Sequence, residues 1–286
     1  MNDPQSLESV VEAALGKTLE SIEIPPRPAM LDKLAAEMQQ DEPDFRRIAN
    51  LILADVGLSA SLIKTANSPA FGYRSKASTV RDALTMLGLI NVLRTLSGLA
   101  LRRAAPETPA LKGFWETSTH MAHTCGWLVK QLGVESGVRS EDAYTYALFH
   151  DCGIPVLLKA MPGYEATYLA AVKDGSRAIT TAESEQHALN HALVGCAIAK
   201  TWYLPELIVH SILNHHENLS GGNLTPACRR LIAIGQLSET LIAGATGRTD
   251  HEWARLAEDC LTTLDIGPAR VAELAPGVRK LLQELD

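Results

Sequence analysis

Apolar residues recur at three- and four-residue spacing along most of the chain, the signature of amphipathic helices rather than of strands. In the first twenty residues Leu7, Val10, Val11, Ala14 and Leu15 mark one such stripe, so residues 1–21 are read as a lead-in helix. The proline-rich entry from Ile24 to Pro28 interrupts it, because proline removes a backbone donor. Five helical blocks follow: Met30 to Met38, Phe45 to Leu53, Leu58 to Ala66, Val80 to Leu87 and Leu89 to Leu101. The breaks between them have local causes. Pro43 opens one block, Asn67-Ser68-Pro69 closes another, Thr79 with Asp82 can cap the next, and Gly88 separates the last two. Ala104 to Pro109 holds two prolines and no apolar period, which makes it the best linker.

Beyond the linker, Leu111 to Leu132 reads as a long helix stopped by Gly133, and Ser140 with Glu141 and Asp142 caps a second that runs into Phe149-His150-Asp151. Further helices are expected at about 155–160, 163–173, 181–188, 190–203, 205–217 and 226–243, with Asn190 and Thr225 as caps. The last forty residues add three short helices. Asp250 caps the first, Pro268 lies near the start of the second, and Pro276 opens the third. The resulting division is a lead-in (1–21), a helical subdomain (22–108), a helical core (109–245) and a C-terminal extension (246–286). The fold class is all-α.

Composition supports this picture. A 46% hydrophobic fraction in 286 residues is ample for a core, while aromatics make up only 5%. The net charge of -7 disfavours a general polyanion binder, so nucleic acid is not an expected partner. Five cysteines, widely spaced and without a C-x-x-C pair, suit reduced thiols in a cytoplasm. No apolar run approaches the length of a membrane span, and the first residues do not resemble a signal peptide. The chain is therefore expected to be cytoplasmic, with no membrane partner.

The candidate chemistry lies in the histidines: His120, His123, His150, His187, His191, His210, His215, His216 and His251. His150 beside Asp151, at a helix end, places a neutral nitrogen donor next to an anionic oxygen donor. Such donors suit zinc, iron or manganese, and an ion so held can generate hydroxide near neutral pH. His215-His216 strengthens the case. His210 and His251 are read as ordinary polar residues.

Several blocks then resemble one family. Ile24-Pro-Pro-Arg-Pro-Ala29, Leu58-Ser-Ala-Ser-Leu-Ile-Lys-Thr-Ala-Asn-Ser-Pro-Ala-Phe-Gly72 and Ser78-Thr-Val-Arg-Asp-Ala-Leu-Thr-Met-Leu-Gly88 look like the N-terminal signature of HDOD proteins, whose output domain is related to the HD phosphohydrolases. Phe114-Trp-Glu-Thr-Ser118, His150-Asp-Cys-Gly153, Asn190-His-Ala-Leu-Val-Gly195 and Asn214-His-His-Glu217 extend the resemblance over roughly residues 22–245. It implies a multi-helix subdomain packed on an HD-like helical core. It also implies a ligand set of one histidine, the His-Asp pair, further histidines in two-metal members, and a closing aspartate. Here Thr117 stands at the first histidine and Gln236 at the closing aspartate.

The metal ligands this leaves are His150, Asp151, His191, His215 and His216. With Asp151 as the one identified ligand carboxylate, two divalent ions are poorly balanced, and the donors suit a single iron or zinc ion. Migrated ligands are the alternative, since His120 lies one turn from Thr117 and Glu239 one turn from Gln236. No catalytic residue is assigned.

The resemblance points to a bacterial signal-transduction module, of the kind that serves as a response-regulator output, acting through protein or ligand binding. Its partner would be a signalling protein such as a receiver or a cyclic-dinucleotide enzyme. A phosphohydrolase or phosphodiesterase acting on a nucleotide or cyclic dinucleotide is the alternative, with Lys159, Lys173 and Arg177 as candidate phosphate contacts. A third reading is a redox or pH sensor built on Cys152.

Overall fold

A computed structural model of the chain describes residues 12–13, 16, 22–104, 111–133, 137–220 and 224–285. The expected lead-in helix over 1–21 and the heart of the expected linker, 105–110, lie almost wholly outside these residues. The described residues are helical, with no strand among them. Two compact units emerge: Pro25–Ala105, and Pro106–Asp286 together with Met1–Ile24.

The smaller unit contains α1 (Ala29–Met38), α2 (Phe45–Leu53), α3 (Val56–Ala66), α4 (Val80–Leu87) and α5 (Leu89–Ala104). Each break seen in the sequence has a bond behind it. Asp44 caps α2 by accepting from the N–H groups of Arg46 and Arg47. The Asn67 amide exchanges two hydrogen bonds with the backbone of Ala77, at 2.8 and 2.7 Å, and so closes the loop after α3. Thr79 and Asp82 form the reciprocal capping box of α4, and Gly88 turns the chain into α5 at a φ of 75°. Helix α3 begins two residues before its expected start because Asp55 accepts from the Leu58 N–H. Leu31, Leu34, Ile48, Ile52, Leu62 and Leu96 are fully buried in this unit. No single described helix is long and apolar enough to cross a membrane; the two bent helix pairs that together have the length lie in this unit.

The larger unit contains α6 (Lys112–Gln131), α7 (Ser140–Phe149), α8 (Gly153–Ala160), α9 (Tyr164–Asp174), α10 (Ile179–His187), α11 (His191–Thr201), α12 (Glu206–Leu213), α13 (Pro226–Ala245), α14 (Trp253–Leu264) and α15 (Pro268–Leu285). The 20-residue α6 and α13 pack on one another, with α7, α14 and α15 around them. Asn190 and Thr225 cap α11 and α13 as expected. Ser140 does not cap α7: Arg139 holds that position and Ser140 begins the helix.

Two further expectations fail for identifiable reasons. Pro276 does not open a separate helix but sits within α15. The helix continues because Leu274, Val278, Leu281 and Leu282 form one buried stripe, and the glycine at 277 leaves room for the Trp127 ring. Helix α12 stops at Leu213 rather than reaching 217, since the Asn214 side chain donates to the His210 carbonyl and ends the turn. His215 and His216 are thereby placed in a turn, not on a helix face.

Two close approaches set the spacing around these histidines. A Cβ at Gly235 of α13 would lie 2.8 Å from the Tyr146 ring, so α7 rests against α13 at that point. A Cβ at Gly153 would lie 2.1 Å from the His191 carbonyl oxygen and 2.9 Å from the Gly195 nitrogen, which brings the start of α8 against the start of α11. Backbone cannot yield as a flexible side chain can. Gly153→Ala is therefore expected to destabilise the protein by about 2 kcal/mol or more, whereas Gly244→Ala, with open space around it, should be neutral or slightly stabilising. Urea unfolding of the two variants tests this, and equal midpoints would show that the contact is not tight.

Candidate metal centre

The site is assembled from the ends of helices. His150 is the C-cap of α7, its N–H bonded to the Tyr146 carbonyl, and Asp151 occupies the turn before α8. His191 is the first residue of α11, behind its cap Asn190. His215 and His216 follow α12, while Gln236 and Glu239 come from α13. All four histidines are buried.

Hydrogen bonds outside the cluster fix the orientation of each ring. Nδ1 of His150 lies 2.8 Å from the Ala147 carbonyl oxygen, and Nδ1 of His215 lies 2.7 Å from that of Ile212. A carbonyl only accepts, so both Nδ1 atoms carry the proton and a neutral ring presents its Nε2 lone pair inward. His191 Nδ1 is 2.7 Å from Glu183 Oε2, and His216 Nδ1 is 2.5 Å from Glu252 Oε2. These carboxylates are anchored in turn. Glu183, fully buried, also accepts from Tyr164 at 2.6 Å and from the His191 backbone N–H; Glu252 accepts from Arg255 at 2.7 Å. Fixing the far nitrogen to a carbonyl or carboxylate is how metal-binding histidines are commonly held.

Four Nε2 atoms therefore converge around Asp151. That of His191 lies 3.2 Å from His215 Nε2 and 2.9 Å from His216 Nε2. Asp151 Oδ1 is 3.5 Å from His191 Nε2 and 3.3 Å from His215 Nε2. Donor atoms of Asp151, His191, His215 and His216 all fall within 4.8 Å of one another, as do those of His150, Asp151 and Glu239. Tetrahedral zinc with bonds of about 2.0–2.1 Å separates its donors by roughly 3.3 Å, so the first set has the size a metal requires. Acceptors this close need a cation among them, whether a proton or a metal.

Charge distribution reflects the same need. Burial would lower the His216 pKa, but Glu252 outweighs it and lifts the imidazolium to about 9. Burial and then the charge of His216 push His215 down to about 3. Burial opposes charge on His150 too, yet Asp151 and Glu239 raise it well above the ordinary value. Asp151 is held far below the carboxylate range by His150 and His215 despite its surroundings. In the metal-free protein, protons thus occupy places where positive charge is required.

The centre is open on one side. A cleft of about 260 Å³ exposes it, lined among others by Thr117, Asp151, Tyr168, Glu239 and Arg248, and a wider cleft of about 660 Å³ shares Thr117, Asp151, Tyr168 and Arg248. The Asp151 side chain is 23% exposed and that of Glu239 33%, so solvent and small solutes reach both carboxylates.

His150, Asp151, His191, His215 and His216 are all brought together, while Thr117 lines the cleft wall. Gln236 donates to the His215 carbonyl at 3.1 Å and supports that ring from behind, its own buried carbonyl oxygen left without a partner. Glu239 reaches His150 Nε2 at 3.4 Å, whereas His120 lines the wider cleft and joins neither donor cluster. His187 bonds Thr167, away from the donors. Arg177 pairs with Glu185, and Arg248, not identified from the sequence, is the cation at the clefts. Glu183 and Glu252 were also missed; nothing in their spacing distinguishes them from surface glutamates. Cys152 does not fit a redox sensor. Its thiol is buried, faces the Gly195 carbonyl at 3.8 Å, and is pushed well up by burial and by Asp151.

Comparison with known proteins places the fold. A family model described as the HDOD domain matches residues 24–218. An uncharacterized protein of Treponema pallidum (strain Nichols) is 26% identical over 198 residues, which is 68% of this chain and 38% of that relative, so the chain spans little more than a third of the relative's length. A Shewanella amazonensis SB2B protein, provisionally described as a phosphohydrolase, superposes with a TM-score of 0.66 at 20% identity over 96% of this chain and 98% of its own. A protein of Marinobacter aquaeolei VT8, provisionally described as a signal transduction protein, gives 0.66 at 18% identity, covering 100% of this chain and 61% of its own. At these identities the likeness establishes a shared fold.

The ion pair of Glu252 with His216 sets a pH window for the metal-free protein. Glu252 is held at about 2 against an ordinary 4.5, so its contribution is complete above 4.5 and lost as pH falls toward 2. His216 is raised to about 9 from 6.5, so its contribution is complete below 6.5 and lost as pH rises through 9. Glu252→Gln should therefore cost about 2 kcal/mol between those limits and little at about pH 10. Urea unfolding in chelator checks it; a difference that stays constant with pH would exclude the coupling.

Proposed function

The chain belongs to the HDOD domain family, and on that premise we propose that it is a signal-transduction module whose HD-like core holds a divalent transition metal, iron or zinc, at Asp151, His191, His215 and His216. The observation that carries this reading is the convergence of three Nε2 atoms and one carboxylate oxygen, with every Nδ1 already bonded elsewhere. One carbonyl-backed and two carboxylate-backed imidazoles with one carboxylate form an N/O set suited to these ions. Bound there, a metal would supply Lewis acidity at the cleft and would tie the starts of α8 and α11 to the turn after α12. The chain's own contribution is to orient those ligands: Glu183 and Tyr164 hold His191, and Glu252 and Arg255 hold His216.

Thr117 and Gln236, in place of two ligands the resemblance implies, favour a module that acts by binding over one that acts by turnover. The partner is read as a signalling protein such as a receiver or a cyclic-dinucleotide enzyme. The coverage figures support a modular role, because comparable regions form 61% and 38% of longer proteins. The open cleft beside Asp151 and Arg248 favours a second reading, a metal-dependent phosphohydrolase.

Purified anaerobically, the full chain should retain about one equivalent or more of iron or zinc, and chelation should lower its melting temperature by several degrees. His191→Ala should retain less than about a tenth of an equivalent. A parent protein with less than that has no such site. Loaded protein that leaves bis(p-nitrophenyl) phosphate intact supports the binding module. Hydrolysis abolished by Asp151→Asn would replace it with the enzyme.

A further inference from the structure

The net charge of -7 is not spread evenly along the chain. Pro25–Ala105 carries eleven Lys and Arg against seven Asp and Glu, a charge of +4, and the rest of the chain fifteen against twenty-six, or -11. Within the smaller unit the acids gather around the turn from α1 to α2, at Glu37, Asp41, Glu42 and Asp44. From Val56 to Ala104, along α3, α4 and α5, seven cations stand against one acid, Asp82. That carboxylate is already committed to capping, since its Oδ2 accepts from the Ser78 and Thr79 N–H groups at 2.9 and 2.8 Å.

Four of these cations share one corner. Lys64 lies in the last turn of α3, Arg74 and Lys76 in the loop that follows, and Arg81 in the first turn of α4. The two hydrogen bonds between the Asn67 amide and the Ala77 backbone bring the end of that loop back to the end of α3. Arg74, Lys76 and Arg81 are exposed, and among the described residues none of the three pairs with a carboxylate. Elsewhere in this unit Arg27 pairs with Asp32, Arg47 with Glu37 and Arg103 with Asp55. Tyr73, 37% exposed, belongs to the same loop, its ring parallel to that of the buried Phe71 with centroids 6.1 Å apart. We propose that this corner docks the acidic face of a protein partner.

A protein fits the corner better than a nucleic acid or a lipid surface. A long polyanion or an anionic bilayer extends past the corner and meets the field of the whole chain, in which the -11 of the larger unit repels it. An acidic patch on a protein is local, and beyond a screening length of about 8 Å at physiological salt the remaining charges count for little. An aromatic ring among arginines is also the composition of anchoring positions in protein interfaces. The loop is already fixed by the Asn67 bonds and the ring stack, so docking costs little ordering. In the kind of partner, a protein, this docking rests on the signalling reading above; it uses no residue of the metal centre.

The test titrates the full chain against a short labelled peptide of Asp, Glu and Leu, an oligothymidylate of equal charge, and phosphatidylglycerol vesicles. The parent should bind the peptide most tightly, and Arg74→Glu/Lys76→Glu should weaken that binding about tenfold or more. Tyr73→Ala should weaken it about fivefold or more. Arg279→Glu/Lys280→Glu changes the net charge equally from exposed positions on α15 and should bind as the parent does. Helical circular dichroism and metal content should be unchanged in every variant, so that a failure here leaves the metal reading standing. If the two double variants weaken binding equally, net charge and not the corner is responsible, and the docking site is wrong. If the parent binds the oligonucleotide or the vesicles more tightly than the peptide, the partner is not a protein. If it binds no probe, the corner docks no acidic face and the proposal falls.

Discussion

Four buried imidazoles in the larger unit have their Nδ1 atoms tied to acceptors outside the cluster, and this constraint turns four Nε2 atoms toward one another and toward Asp151. A protein interior tolerates polar groups when each finds a complementary partner, and acceptors facing acceptors do not. The arrangement is stable only with positive charge among the nitrogens. Protons on His216 and His150 meet that need in the metal-free protein, and a metal meets it with better geometry. The surrounding anions follow from the same logic. Glu183, which no water reaches, is compatible with the core because Tyr164 and two His191 groups surround it.

The backbone makes the convergence possible. The donor side chains come from a helix C-cap, a helix start and a turn, so no repeating helical face sets their distances. The close pass of Gly153 under the His191 carbonyl and of Gly235 under Tyr146 does so instead. A larger residue at either point would meet the backbone of His191 or the Tyr146 ring and push the helix ends apart. Precision at the centre is thus inherited from close packing at two positions that carry no functional atom.

Much of this was legible in the sequence, for physical reasons that differ by feature. Helix positions in both units follow from apolar period and from capping residues that do form their bonds, such as Asp82, Asn190 and Thr225. The clustered histidines and Asp151 stood out because imidazoles in small groups beside a carboxylate are the donor types a transition metal takes. Pro276 misled because a buried stripe overrode a local breaker, and the end of α12 was missed because one asparagine side chain decides it. Glu183, Glu252 and Arg248 carried no local signal at all. Their roles depend on contacts across eight residues, thirty-six residues and the width of a cleft, and only the fold creates those.

Gln236 and Glu239 show why counting motif positions understates the site. An amide in place of a carboxylate removes a ligand charge at residue 236, and by the motif alone the centre is incomplete. One turn later on the same helix, Glu239 brings a carboxylate on a flexible stem to His150, while the amide of Gln236 fastens the carbonyl of His215. Against the ligand set that the resemblance implies, the pocket keeps a carboxylate one turn further along α13. Around Asp151 the donor atoms thus fall into two groups, one rich in nitrogen and enclosed, the other, with Glu239, rich in oxygen and open to the cleft.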